Sequence, residues 1–217
     1  MHGIFARLPT VARHELIMHT ATSSQRYFEY LTQRSVTGLV YRKFLLYPRL
    51  DRMLQGRVLD YGCGIGDFLR YRDNSSGVDI NQYGVDYCKS LGLDVQLAKG
   101  GMIPHPESSF DSVILDNVLE HIPPVDVDRV IGEIMRVLRP GGRLLIGVPG
   151  IKGYAADNDH KRFYTETDVI NLLSPYGANP LQTLHAPLRS KWATQHLSQY
   201  CIYISFECGS RDTPHPG

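Results

Sequence analysis

Short apolar runs alternate with helix-like stretches from residue 57 onward. Five runs predict strands at 57–61, 76–80, 94–98, 112–116 and 143–148. Helix-like stretches at 66–71, 82–91 and 125–138 separate most of them, whereas a loop with Pro104 and Pro106 joins the third run to the fourth. This alternation is typical of a parallel sheet with helices on its faces.

Two later runs, 181–186 and 200–207, follow a different pattern. The last run places Cys201, Tyr203 and Ser205 on one face and the apolar side chains between them on the other. A loop containing Trp192, without a clear helix, connects the two runs. We therefore expect a terminal antiparallel hairpin.

The segment before residue 56 has a helical pattern in two pieces. The first covers 27–31, and the second covers 39–46 and should end before Pro48. The segment is rich in tyrosine and arginine, so it suits either a helix packed on the domain or a lid over a ligand.

Composition and charge narrow the class of protein. The 217 residues carry 23 basic and 22 acidic side chains, a formal net charge of +1, which gives no electrostatic reason to expect a nucleic-acid partner. No apolar run is long enough for a transmembrane segment, and none of the four cysteines forms a C-x-x-C pair. We expect a cytoplasmic protein, and the oligomeric state stays open.

A glycine-rich turn follows the first predicted strand. Gly62, Gly64 and Gly66 allow a sharp turn and a close ligand approach, and a helix should open near residue 66. A dinucleotide-binding G-x-G-x-x-G motif would need its third glycine at position 67, where this chain has Asp67. The simpler alternative is a structural turn in which Asp67 caps a helix.

Two carboxylates flank this turn. Asp60 precedes the first glycine and would repel a pyrophosphate but attract an ammonium group. Asp79, at the end of the second predicted strand, could accept hydrogen bonds from both hydroxyls of a ribose. It could instead cap the next helix, although Asn81 suits that role better.

Four ordered motifs resemble the class I S-adenosylmethionine-dependent methyltransferases, particularly the small-molecule methyltransferases. They are VLDYGCGIG at 58–66, GVDI at 77–80, IPHPESSFDSVILDNVLEH at 103–121 and LRPGGRLLI at 138–146. The resemblance implies a Rossmann-like, doubly wound α/β fold with a mainly parallel seven-stranded sheet and an antiparallel C-terminal strand. It predicts an N-terminal helical extension or lid at 1–55, a methyltransferase domain at 56–209 and a flexible tail at 210–217.

The resemblance also implies a cofactor, S-adenosyl-L-methionine, and positions that hold it. Asp60 with Gly62, Cys63 and Gly64 would hold the methionine part. Asp79 would bind the ribose with Ile80 against the adenine, and Asp116 and Asn117 would line the sulfonium side. Family members often have an acid where this chain has Lys99, so backbone groups near 100–102 would recognise the adenine instead.

Two histidines are candidates for catalysis. His121 follows the fourth predicted strand, and His160 lies in a polar, aromatic loop at 157–164 that precedes a helix-start signature. Either could act as a general base near neutral pH, or could have a structural role in its loop. No group of Asp, His and Glu has the spacing typical of a metal site, so the sequence predicts no metal ligand.

These features favour methyl transfer to a small or medium polar acceptor, such as a saccharide or another hydroxyl-bearing metabolite. A binding module that keeps the fold without catalysis is the alternative, which the intact Asp60, glycine turn and Asp79 disfavour. A nicotinamide oxidoreductase is disfavoured by Asp60 and by the position of the third glycine.

Overall fold

A computed structural model of the chain describes Gln25, Phe28, residues 36–188 and residues 190–209. The helix expected over 27–31 and the tail expected at 210–217 lie outside these residues, apart from Phe28 itself. None of the helices in the described part is both long enough and apolar enough to span a bilayer.

The centre of the fold is a seven-stranded sheet with the strand order β3-β2-β1-β4-β5-β7-β6. Strand β7 runs antiparallel to both β5 and β6, and the pairs β1–β2, β1–β4, β2–β3 and β4–β5 are parallel. The predicted α/β fold class and the terminal hairpin are confirmed. The strands are β1 Val58–Tyr61, β2 Ser75–Asp79, β3 Val95–Leu97, β4 Phe110–Asp116, β5 Leu138–Pro149, β6 Ala178–Ala186 and β7 Cys201–Cys208.

Helices cover the sheet and join its strands. They are α1 Val36–Tyr41, α2 Tyr47–Asp51, α3 Gln82–Ser90, α4 Val127–Val137, α5 Ile151–Ala155, α6 Glu166–Leu173 and α7 Lys191–His196. Asn81 caps α3 by accepting from the backbone N–H of Tyr83, as the sequence predicts. Thr165 and Asp168 form the expected capping box of α6. The connection between β6 and β7, expected to lack a helix, contains the short α7.

Each face of the sheet packs a separate apolar layer. On one face, Leu144, Ile204 and Phe206 pack with the buried side of α4, whose Ile131 and Ile134 are completely buried. On the other face, Leu145 and Tyr203 pack with α2. The alternation predicted for β7 therefore serves two cores, because successive strand residues point to opposite faces.

The prediction that the N-terminal helix ends before Pro48 is wrong, because the helix continues through this residue. A π-helical turn at Arg42–Leu46 joins α1 to α2, and the N–H of Tyr47 bonds the carbonyl of Arg42, five residues back. Proline has no N–H to donate and stands in the first turn of α2, which tolerates it. Burial of Leu46, Tyr47 and Leu50 holds this segment on the sheet.

Two other local predictions differ from the structure. Residues 66–71 form consecutive turns, with i→i−4 bonds only at Arg70 and Arg72, so the helix expected after the glycine turn is not regular. The expected tight turn before the fifth strand lies inside β5, where the partner of β4 jumps from Leu138 to Arg143. Residues 139–142 leave the ladder here, because these four residues of β5 face a single residue of β4, Asp111.

Two helical glycines give opposite predictions for substitution by alanine. A Cβ on Gly132 of α4 would meet no atom within 4 Å, whereas one on Gly84 of α3 would lie 2.8 Å from the carbonyl oxygen of Gly64. We expect Gly132→Ala to stabilise the protein by about 0.5–1 kcal/mol, the usual gain of alanine over glycine inside a helix. Gly84→Ala should destabilise it by about 1–3 kcal/mol through overpacking.

Urea unfolding of the two variants, compared with the unsubstituted chain, measures both effects. Equal shifts of the midpoint in the same direction would contradict the close packing of α3 on the glycine turn.

Candidate active site

Three carboxylates meet at the carboxyl edge of the sheet. Asp60, Asp79 and Asp116 lie at or next to the ends of β1, β2 and β4, which are neighbours in the sheet. Asp60 and Asp79 are 5% and 8% exposed, and the Asp116 side chain is 9% exposed. Ligands of open α/β sheets bind at this edge, so the three acids mark the candidate site.

The glycine turn is bonded directly to the second strand. The backbone N–H of Gly64 donates to Asp79 at 2.7 Å, and that of Asn81 donates to the other oxygen of Asp79 at 2.8 Å. Gly62 has a φ of +79°, and a Cβ there would lie 2.6 Å from Val118. Asp79 therefore fixes the turn, and its carboxylate, which can accept about four hydrogen bonds, still has room for a further donor.

Asp116 is held by side chains from three parts of the chain. Arg42 of the π-helical turn forms an ion pair with it, and the hydroxyl of Tyr203 on β7 donates to it at 2.8 Å. Asn117 donates its amide to the same oxygen at 2.8 Å and accepts from the thiol of Cys201 at 3.3 Å. The end of β4 is therefore a packed polar network rather than an open carboxylate.

Mutual repulsion and burial dominate the electrostatics of this edge. Burial raises the pKa of Asp60 well above its usual value, the carboxylates of Asp116 and Asp79 add to this, and Arg42 opposes it. Burial also raises the pKa of Asp79 against the effect of its backbone N–H donors. A cationic ligand would relieve this repulsion, whereas a phosphate would increase it.

Comparisons with known proteins agree with this geometry. Residues 59–146 match a family described as a methyltransferase domain. Methyltransferase GfsG of Streptomyces halstedii is 35% identical over 52% of this chain and 44% of its own length. A probable S-adenosylmethionine-dependent methyltransferase of Mycolicibacterium smegmatis is 28% identical over 70% of this chain and 66% of its own length.

Solved structures give the same fold. An S-adenosylmethionine-dependent methyltransferase of Thermotoga maritima, described as a possible histamine N-methyltransferase, superposes with a TM-score of 0.66 at 17% identity. It covers 84% of this chain and 98% of its own. Residues 59–146 of the chain therefore resemble a methyltransferase domain, and the chain has the fold of the S-adenosylmethionine-dependent methyltransferases. S-adenosylmethionine is the cofactor that this family and fold imply.

The structure places every predicted cofactor residue along one edge of the sheet. Asp60, Cys63, Asp79 and Asn117 lie at or beside the ends of β1, β2 and β4, with Gly62 and Gly64 in the turn between the first two strands. Ile80 follows β2 and is 76% exposed, an unusual position for a large apolar side chain. These placements agree with the roles that the resemblance implies, which stay predictions.

The segment after β3 has Lys99 at the position where family members often have an acidic residue. Lys99 and Met102 form an isolated backbone bridge, and Met102 is 56% exposed beside the buried Ile103. The backbone N–H of Ile103 donates to Glu133 of α4 at 2.9 Å, so its own amide is already used. Any backbone recognition of the adenine would therefore use residues before Ile103.

The two candidate catalytic histidines lie together. The rings of His121 and His160 have centroids 4.5 Å apart, and Tyr154 stacks on His160 at 5.1 Å. The backbone N–H of Lys161 donates to the carbonyl of Glu120 at 2.7 Å, which ties the loop of His160 to the segment after β4. The structure brings together residues that are 39 positions apart in the sequence.

Two residues of the site, Glu120 and Arg42, were not predicted from the sequence. Glu120 is 1% exposed, and neither of its oxygens has a hydrogen-bond partner among the described residues. Burial raises its pKa to about 8. The position of Glu120 next to His121 is the one sequence feature that could have indicated its role. Its proximity to His160 depends on how the loop at 157–164 folds. Arg42 gave no signal, because its contact with Asp116 depends on the packing of the N-terminal helix.

Proposed function

We propose that the protein transfers a methyl group from S-adenosylmethionine to a hydroxyl group of a small or medium polar acceptor, such as a saccharide. The observation that carries the cofactor half is the set of three buried carboxylates beside the glycine turn. S-adenosylmethionine carries an ammonium and a sulfonium, and it is the kind of cationic ligand that this edge favours.

In this proposal each cofactor residue has one task. Asp60 and the turn of Gly62, Cys63 and Gly64 hold the methionine part, since a buried carboxylate attracts an ammonium. Asp79 accepts from the ribose hydroxyls through the acceptor capacity that its backbone donors leave. Ile80 covers the adenine, and Asp116 and Asn117 line the sulfonium side.

We also propose that residues 1–55 form a cover for the domain at 56–209. Two contacts support this proposal: Arg42 reaches Asp116 from the N-terminal segment, and the ring of Phe28 lies 5.5 Å from Tyr87 of α3. A cover of this kind would exclude water from the reacting groups.

The part of the proposal that concerns the acceptor rests on the polar residues near the end of β4, His121 and His160. Methyl transfer from a sulfonium is an in-line displacement, so the protein mainly aligns the nucleophile with the methyl group. A hydroxyl nucleophile reacts faster when a nearby general base accepts its proton or a hydrogen bond from it. His121 and His160 are the residues that we propose for this task. A relative named 27-O-demethylrifamycin SV methyltransferase, from Amycolatopsis mediterranei, is 34% identical over 49% of this chain and 44% of its own length.

Loss of the Asp79 carboxylate should weaken cofactor binding. We expect Asp79→Ala to reduce the affinity for S-adenosylhomocysteine by at least about tenfold, since hydrogen bonds to a charged group contribute about 1.5–3 kcal/mol each. Calorimetric titration measures this change. Asp73→Ala, on the exposed loop before β2, is the matched control and should bind as the unsubstituted chain does.

Wild-type affinity in Asp79→Ala would remove the ribose assignment. If the unsubstituted chain bound NAD and not S-adenosylhomocysteine, the whole proposal would fail.

The acceptor is tested by transfer of labelled methyl groups to a panel of saccharides, other hydroxyl compounds and amines. We expect label in hydroxyl compounds as alkali-stable methyl ethers, and a much lower kcat in His160→Ala at unchanged affinity for S-adenosylhomocysteine. Label only in amines would contradict the acceptor half. Binding of S-adenosylhomocysteine without transfer to any member would favour the non-catalytic binding module.

A further inference from the structure

Glu120, His121 and His160 form a cluster whose geometry the proposed methyl transfer does not require. One ligand-type atom from each residue lies within 4.8 Å of the other two. No other group of three such residues occurs in the part of the chain that the structure describes. The cluster therefore differs from the scattered histidines elsewhere on the described surface.

The Glu120 carboxylate points to a missing partner. It is 1% exposed, and both oxygens lack a hydrogen-bond partner among the described residues. A buried polar group without a partner costs free energy, so native structures rarely keep one. Nε2 of His160 lies 3.9 Å from Oε1 of Glu120, which is too long for a hydrogen bond.

The tautomer of His160 leaves Nε2 able to bind a metal. Nδ1 lies 2.7 Å from the carbonyl oxygen of Tyr154, and because a carbonyl can only accept, Nδ1 carries the proton. In the neutral ring, which is the form that binds metals, Nε2 then holds the lone pair, on the side of Glu120. A backbone carbonyl that fixes the outer nitrogen in this way is the usual support for a metal-binding histidine.

The spacing matches two ligands of one ion. Two ligands that each lie about 2.0–2.1 Å from a metal can be up to about 4.2 Å apart, so the 3.9 Å between Glu120 and His160 falls within reach. Two imidazoles and one carboxylate are ligands for zinc, iron or cobalt, whereas magnesium and calcium prefer oxygen alone. His121 is only partly buried, so solvent has access to the cluster.

We propose that Glu120, His121 and His160 bind one divalent transition-metal ion. This goes beyond the proposed methyl transfer, because metal binding needs neither cofactor nor acceptor. With an ion present, the two imidazoles would act on an acceptor through the ion instead of taking its proton directly.

Direct titration of metal-stripped, tag-free protein with cobalt(II) chloride tests the proposal. We expect one cobalt ion per chain and visible absorption bands of a low-symmetry nitrogen and oxygen site. Glu120→Gln and His160→Ala should each weaken binding by at least about tenfold, since even outer-sphere partners of a metal contribute about 10–100-fold.

His185 provides the matched control. Its Nε2 also lies 3.9 Å from a glutamate oxygen, that of Glu166, and its Nδ1 lies 2.7 Å from the hydroxyl of Tyr200. Among the described residues, however, His185 belongs to no group of three ligand-type side chains. His185→Ala should therefore bind cobalt with the wild-type affinity. Equal affinity of Glu120→Gln, His160→Ala and the unsubstituted chain would overturn the proposal.

Two readouts on the unsubstituted chain cover the case in which a variant does not fold. Paramagnetically shifted imidazole N–H signals from two histidines in the proton spectrum of the cobalt form would support the site. A thiolate charge-transfer band would assign the ion to the buried cysteines, and no one-to-one binding would mean no site; either result overturns the proposal.

Discussion

Three acidic side chains, Asp60, Asp79 and Asp116, repel each other at the largely buried carboxyl edge of the sheet. Much of the local structure offsets this repulsion. Asp79 is stabilised by the backbone donors of Gly64 and Asn81, which also fix the glycine turn. Asp116 is stabilised by Arg42, which the π-helical turn between α1 and α2 supplies. Asp60 has a raised pKa instead, mainly because it is buried, and a cationic ligand would offset the added repulsion from Asp116 and Asp79.

Asp116 stands between the two halves of the proposed reaction. On one side it faces Asp60, whose pKa it raises, and on the other it adds to the raised pKa of Glu120. Tyr203 connects the same carboxylate to β7, the reversed strand. The cofactor edge and the cluster of Glu120 with the two histidines are thus neighbouring parts of one electrostatic system.

Much of the fold follows from local patterns. Apolar runs predicted all seven strands, and the order of four motifs predicted the family, because strand ends and glycine turns are set by nearby residues. Contacts between distant segments were not predicted. The helix continues through Pro48 because its buried side chains hold it. Glu120 approaches His160 only because the loop of His160 bonds to the segment after β4.

The pH dependence of S-adenosylhomocysteine binding tests the central claim most directly. The pKa of Asp60 is raised, so its carboxyl keeps a proton to higher pH than an ordinary aspartate does. The ammonium of the ligand favours the ionised carboxylate, so binding should release a proton. The affinity should therefore fall as the pH is lowered from neutral to mildly acidic. Calorimetry in two buffers with different ionisation heats measures that proton. Its absence, with an affinity independent of pH and equal in Asp60→Asn, would contradict the account.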